Sequence, residues 1–595
     1  MKTITLDFET YFDDEYTLKK LTTEEYIRDE RFEALCLGLH VDGHSHWFPQ
    51  HKIAETLKRI DWADTAVIAH HAHFDGLILS HHYDCRPAFW YDTLSMGRYA
   101  HGVSVGGSLA ALLKHYELAG KTVPYDAFKG HHWNQLSDEL KQDLGAGCAH
   151  DCAQTHAIWQ RMLPLIPVEE LTVIDMTVRM FTEPTLEGDQ DLLGEVWYDE
   201  VEKKMGGLRD LNVSAKDLAS AERFSELLRA EGVEPPIKTS PKGNRIYAFA
   251  KTDEAMRELL EDENPRVAAL CAARLGEKST IGQTRAARFG DMAMRGPMPV
   301  YLNYCGAHTR RWSGGDRSNW QNLRRGSDLR RSIKAPDDAK LGIVDLEQIE
   351  CRVLNYLAGQ WDVLQKFARK EDVYSELATR FYGRPISKKD PKERGVGKQI
   401  ELSCGYGAGA ATIVATARRG TYGPPVVLSL AEGETLKSLY RTTHPGVVDY
   451  WKKADQVISV LNSGGSMQWG PLFIEDHRLF APNGLFIDYS TLRYHADERR
   501  WKLKTKRGWV NMWGGVLTQN VCELLSRVIL SQGMLRIREL GIHVALISHD
   551  EAVVLIPKDD EAVFEEVKAA MIVEPDWLPG IPLAVEGILS ERYEK

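Results

Sequence analysis

Apolar and polar positions are arranged differently along the two parts of this chain. In roughly the first 165 residues, strand-length apolar runs stand between polar turns: "TITLDFE" (3–9), "LCLGLHV" (35–41) and "TAVIAHH" (65–71). "GSLAALLKHYEL" (107–118) and "CAQTHAIWQRML" (152–163) repeat their apolar residues at helical spacing instead. "LPLIPVEE" (163–170) reads as a junction, and from Val168 to Phe289 the pattern is mainly helical. Short strands return in "KLGIVD" (340–345) and "HVALISHDEAVVLIP" (543–557), the latter preceded by a long helical pattern over 515–540. The second of these runs has polar residues at its centre and predicts a hairpin with Ser548, His549, Asp550 and Glu551 at the turn. The pattern predicts an α/β, multi-domain protein without internal repeats.

Composition changes this picture little. The chain has 595 residues, 43% hydrophobic and 27% charged, as a globular protein does. A net charge of -11 is no footprint of a nucleic-acid binder, so local runs must carry any such contact. "NLRRGSDLRRSIK" (322–334) and "ERRWKLKTKRGW" (498–509) are basic, and each alone reads as a solvated face. The nine cysteines form no CxxC, and the single CxxH, Cys305 to His308, has no second ligand pair beside it, so neither a zinc ribbon nor a dithiol redox motif is expected. Cys148 and Cys152 read as buried thiols on one helix. Asp7 and Glu9 interrupt the place of a signal-peptide core, and no apolar run is long enough to cross a membrane. The expectation is a cytoplasmic protein with no membrane contact.

Charge at strand ends is where chemistry enters. Asp345 closes an apolar run, and a carboxylate there needs a partner. Alone it reads as a helix N-cap. The hairpin acids Asp550 and Glu551 offer another reading, in which carboxylates meet on one sheet and hold divalent metal for phosphoryl transfer.

Three motifs turn this into a resemblance. "DLEQIECRVL" resembles motif A of the DNA polymerase I-like family A DNA polymerases, and "SHDE" resembles their motif C. Between them "RGVGKQIELSCGYG" fits RxxxK, seven residues, YG, at Arg394, Lys398, Tyr406 and Gly407. Arg394 and Lys398, four apart, share a helical face and could hold the phosphates of a triphosphate together. The resemblance implies Asp345 and Asp550 as catalytic metal ligands, Glu551 as a secondary acid, and Lys398 beside the leaving pyrophosphate. It implies Glu350 and Tyr406 as the pair that crowds a ribose 2′-hydroxyl. "HTRRWSGGDRSNWQNL" resembles the family's minor-groove segment and implies DNA contacts from Arg311 and Asn322, with Gln519 and His549 as further contacts. Leu402 stands where many relatives carry Phe or Tyr, Arg310 where glycine is usual, and Arg324 where proline is common.

The N-terminal region resembles the DEDD proofreading exonucleases. Asp7 and Glu9, two apart on one strand, project to one face and can share a metal. Asp75 and Asp151 complete the set the resemblance implies. Gly147 stands where the water-orienting tyrosine of this form is expected, and His71 where asparagine is common. His150, one residue from Asp151, faces another side of a helix. Loss of the tyrosine predicts a slow exonuclease, by about 10²–10⁴-fold.

Together the resemblances imply an RNase H-like exonuclease domain over 1–165, followed by a right-hand polymerase over 166–595. Its thumb is expected near 166–300, palm near 301–360 and 465–595, and fingers near 361–464. Two magnesium ions at each site, with manganese as a substitute, are the implied cofactors. Primer–template DNA, deoxynucleoside triphosphates and phage replication proteins are the implied partners of a monomer. A ligand as early as residue 7 leaves no place for a preceding 5′-nuclease domain, which favours a phage or prophage origin by analogy. Other readings are an exonuclease whose second half only grips DNA, a single-subunit RNA polymerase, disfavoured by Glu350, and a non-catalytic DNA-binding protein.

Overall fold

Thr3, Ile4 and Thr5 stiffen the start of the chain and alternate with Leu6 and Phe8, so Lys2–Thr10 becomes the middle strand of a five-stranded sheet. Ala34–Val41 and then His44–Pro49 join it on one side, antiparallel throughout. Thr65–Ala69 and Phe89–Asp92 follow in parallel on the other. The helix Asp138–Met162, capped by the Ser137 hydroxyl accepting the Leu140 N–H, lies across this sheet. The predicted strands and helices of this region are all present; His44–Pro49 and Phe89–Asp92 are additional.

The computed structural model describes residues 1–102, 105–240, 243–251, 253–260, 262, 264–278, 281–505 and 508–594. It has two compact units. The first comprises Met1–Thr185, Pro299–Asn322 and Asp337–Glu591; the second comprises Leu186–Met298, Leu323–Pro336 and Arg592–Lys595. The helix that follows the "LPLIPVEE" junction, Val168–Thr182, is part of the first unit, packed on Phe89–Asp92 and on the long helix Gly514–Glu539.

The first unit holds a second sheet, antiparallel throughout, in the order Val544–Ser548, Glu551–Pro557, Ala339–Leu346, Val585–Ser590. Leu341, Ile343, Val344, Val553 and Val554 are fully buried in it, against the helices Gly514–Glu539 and Val563–Met571. The expected hairpin is there: Ser548 pairs with Glu551, leaving His549 and Asp550 as a two-residue turn, with His549 at φ 55°. Helices fill most of 349–463. Between them and the long helix lie two small antiparallel sheets within 467–512 that the sequence pattern did not suggest. The basic run 498–509 falls on Arg500–Thr505 and Gly508–Met512; its Lys506 and Arg507 lie outside the described residues.

The second unit is mainly helical; its described strands form the short hairpin Ile237–Thr239 with Arg245–Tyr247 and the antiparallel pair Glu187–Gly188 with Ile333–Lys334. Its core gathers Leu211, Phe224, Leu228, Phe249 and Leu270, and Arg274 is buried with its guanidinium over the rings of Phe224 and Phe249. Among the described residues no helix is long and apolar enough to cross a membrane.

Candidate active sites

The strand Ala339–Leu346 emerges from the core at Asp345. Ile343 and Val344 are fully buried, Asp345 is half-buried, and its register partners are Glu551 on one side and Glu586 on the other. The Leu346 N–H donates to the Asp550 carbonyl at 3.1 Å, which locks the hairpin turn to the strand end. Asp345, Asp550 and Glu551 thus lie together at one end of this sheet. Burial pushes the Asp550 carboxyl up to about 7, with Glu350, Asp345 and Glu523 adding to the rise and Arg311 opposing it. Carboxylates are the hard oxygen donors a divalent cation takes, although the one group of three ligand atoms within 4.8 Å of one another among the described residues is Asp7, Glu9 and Cys148.

Beside this end of the sheet, Arg311 bridges two acids. It donates to Glu350 at 2.8 Å and pairs with Glu523 at 2.7 Å. Tyr406 donates its hydroxyl proton to the other Glu350 oxygen at 3.1 Å, while Gln519 and Thr309 donate to Glu523 at 3.0 and 2.8 Å. The residues inferred separately from three motifs therefore form one network. Its hub Glu523 was missed, although it stands four residues after Gln519 on the same helical face. Burial raises the Glu350 carboxyl against the pull of Arg311, and burial holds the Tyr406 phenol well above its usual range, so it stays a donor.

Arg394 and Lys398 lie on the helix Pro391–Gln399, both half-buried. The Arg394 fork is committed to Asp372, with Nε and Nη2 at 2.7 and 3.1 Å from its two oxygens; Asp372 had no role in the sequence reading. The helix runs on into a π turn, Ile400–Cys404, where Leu402 packs against the cluster of Cys351, Val363, Leu364, Phe367 and Val373. Gly407 has φ +78°, and a Cβ there would sit 2.1 Å from the Trp513 ring, so only glycine fits.

Of the remaining residues, Asn322 is exposed at the end of the turn Trp320–Asn322, whose Gln321 carbonyl accepts from the Ser548 hydroxyl at 3.3 Å. His549 is exposed at the hairpin tip. Arg310 is buried, donating to the carbonyls of Arg98 (2.7 Å) and Phe486 and lying over the Phe486 ring. Its φ of +67° accounts for the glycine expected there.

In the N-terminal sheet, Asp7, Glu9 and the Cys148 thiol bring ligand atoms within 4.8 Å of one another. Asp75, on the helix Ala72–Tyr83, accepts the Phe8 N–H at 3.0 Å, and Asp151 is buried on Asp138–Met162. Burial raises the carboxyls of Asp7 and Glu9 well above their ordinary range, Cys148 adds to this, and Asp75 is pushed up to about 8, again chiefly by burial. These acids also fit a divalent cation. The sequence reading missed that Lys121 reaches them, 3.0 Å from Asp151, and that Tyr125 stands between Lys121 (2.8 Å) and Glu9 (3.4 Å). His71 adopts φ 68° and bonds the Tyr301 hydroxyl at 2.7 Å, which explains a position where asparagine is common.

Comparison with known proteins agrees with this geometry. The profile of DNA polymerase family A matches residues 198–461. The DNA polymerase of Bacillus phage SP02 is 27% identical over 289 residues, covering 45% of this chain and 43% of that protein. The thermostable DNA polymerase I of Thermus aquaticus is 24% identical over 389 residues, 64% of this chain and 42% of that one. The chain thus spans about two-fifths of the length of the curated relatives it matches. In fold it is similar to the POL domain of Pol1 from M. smegmatis, solved with DNA primer–template and dNTP. The TM-score is 0.70 at 16% identity, over 99% of this chain and 95% of that one. Residues 198–461 therefore match the profile of DNA polymerase family A, on a chain similar in fold to the POL domain of a bacterial DNA polymerase I.

Proposed function

We propose that this protein is a template-directed DNA polymerase that extends a primer 3′ end with deoxynucleotides, and that its N-terminal region is a 3′→5′ exonuclease. The observation that carries the first part is the meeting of Asp345, Asp550 and Glu551 at one end of a sheet beside the Arg311–Glu350–Tyr406 network. Magnesium, or manganese, held by Asp345 and Asp550 with Glu551 as a further acid would lower the pKa of the primer 3′-hydroxyl and neutralise the triphosphate. Lys398, with Arg394 once released from Asp372, would face the phosphates. As the 3′-oxygen bonds to the α-phosphorus, pyrophosphate leaves on that side. Glu350 and Tyr406 wall off the sugar, which favours deoxyribonucleotides over the RNA polymerase reading. Arg311, Asn322, Gln519 and His549 would hold the primer–template. In this reading 301–360 and 465–595 are palm, 361–464 fingers and 166–300 thumb, acting as a monomer with phage replication proteins as its partners.

The exonuclease reading rests on Asp7, Glu9, Asp75 and Asp151 gathering at one end of the N-terminal sheet. A labelled primer–template with a mismatched primer end and magnesium, with and without deoxynucleotides, tests both parts. Asp550→Ala is expected to abolish extension and leave shortening, and Asp7→Ala the reverse. Extension that survives Asp550→Ala ends the polymerase reading.

A further inference from the structure

The N-terminal acid site lacks the tyrosine expected at Gly147, and the structure gives a steric reason. A Cβ on Gly147 would lie 3.0 Å from the Val123 Cα and 3.1 Å from its nitrogen, so the backbone of residues 121–125 fills the space a side chain would need. That same segment brings Tyr125 to the acids. Its hydroxyl accepts a hydrogen bond from Lys121 at 2.8 Å and donates towards Glu9 Oε1 at 3.4 Å. Lys121 is fixed in turn by Asp151 at 3.0 Å, and His150 anchors the start of the segment through Nε2 to the Gly120 carbonyl at 3.0 Å. The ring of Tyr125 is 37% exposed while Glu9 is buried, so the hydroxyl spans the boundary between solvent and the carboxylates.

We propose that Tyr125 is the water-positioning residue of this site, taking over from outside the helix the role that Gly147 cannot fill. The proposal rests on the exonuclease reading. A phenol oxygen has room for one acceptor bond beyond that from Lys121, and a water beside Glu9 can supply the proton for it. Held between Tyr125 and Glu9, that water has its oxygen lone pair free for the terminal phosphodiester. Its oxygen bonds to phosphorus and the bond to the 3′-oxygen breaks. One water proton ends on the departing 3′-oxygen and the other stays on the new phosphate oxygen, releasing a nucleoside 5′-monophosphate. Lys121 is a positioning residue: its ammonium, held by Asp151, fixes the phenol orientation.

The test compares the intact full-length protein, Tyr125→Phe, Tyr125→Ala and Asp7→Ala, each checked for an unchanged melting transition. Manganese binding is measured by calorimetry, and single-turnover shortening of a labelled primer is followed over a range of DNA concentrations. Tyr125→Phe removes one oxygen and keeps the ring. It is expected to lower the saturating rate about 10²-fold, with the half-saturating DNA concentration and manganese affinity unchanged. Tyr125→Ala should do no worse in rate. Shortening by Tyr125→Phe at the intact rate, while Asp7→Ala has none, overturns the proposal and leaves the exonuclease reading standing. A Tyr125→Phe protein that loses manganese affinity together with rate also overturns it, because the hydroxyl is then part of the scaffold. No shortening by the intact protein removes the exonuclease reading, and the role of Tyr125 with it.

Discussion

A carboxylate that bonds two cationic or hydroxyl partners does more than occupy space. Glu350 holds Tyr406 and Arg311 at once, and Arg311 is held from its other side by Glu523. Charge-assisted hydrogen bonds of this kind are worth about 1.5–3 kcal/mol each, so the wall proposed to face the sugar is stiff. Glu350→Ala is therefore expected to loosen sugar selection by at least about tenfold, the equivalent of ~1.4 kcal/mol, measured as the ratio of kcat/KM for a deoxynucleotide and its ribonucleotide. An unchanged ratio would mean that Glu350 only braces Arg311. The acids at both sites were legible in the sequence through the motifs around them, since a lone carboxylate at a strand end reads as a helix N-cap. Glu523, Asp372, Lys121 and Tyr125 were not. A Glu on a helix or a Lys in a loop is ordinary surface chemistry until the fold shows what it faces.

Strands and helices with a clear period were read correctly, and the two-residue hairpin turn at His549 and Asp550 followed from the polar gap between two apolar runs. The π turn Ile400–Cys404 could not be read, since one extra residue per turn leaves no mark in the hydrophobic pattern. That turn carries Glu401, buried with His444, whose Nε2 is 3.4 Å from the carboxylate and whose ring stacks on Tyr440. The Cys351 thiol donates to the other Glu401 oxygen at 3.2 Å. Burial alone would lower the His444 imidazole, but Glu401 outweighs it and the net shift is upward from 6.5. A group whose folded pKa is raised stabilises the fold fully below its unfolded value and loses that contribution as pH rises through the folded one. The melting midpoint should thus fall as pH climbs out of the imidazole range. His444→Gln should flatten that part of the profile. An equally steep profile in the variant would place the titrating group elsewhere.

At the scale of the molecule, the boundary suggested by "LPLIPVEE" does not separate two bodies: Val168–Thr182 lies beyond it yet packs on both the N-terminal sheet and the long helix Gly514–Glu539. Sequence pattern marks where apolar runs stop, but not which surfaces a helix covers on its two sides. What joins these parts is polar and buried. Glu170 takes a bidentate pair from Arg527 at 2.5 and 2.8 Å, accepts the Tyr304 hydroxyl, and accepts from Asn483 at 2.7 Å, while the Arg527 guanidinium lies 4.7 Å from the Trp312 ring centre. Arg98 donates to Asn303 and Tyr99 to the Asn483 carbonyl, so the N-terminal region reaches the same residues directly. Removing one member of such a pair leaves the other charged and buried, a cost of roughly 3–5 kcal/mol, whereas replacing both by apolar or neutral groups of similar size is often close to neutral. Arg527→Met alone is therefore expected to lower the denaturation midpoint sharply. Combined with Glu170→Gln it should recover most of the loss, and in every variant the N-terminal region and the rest of the first unit should unfold in one shared transition when followed by proteolysis. If the N-terminal region of Arg527→Met instead melts separately and early, the buried pair is a fastener between two independently stable parts rather than the centre of one cooperative core.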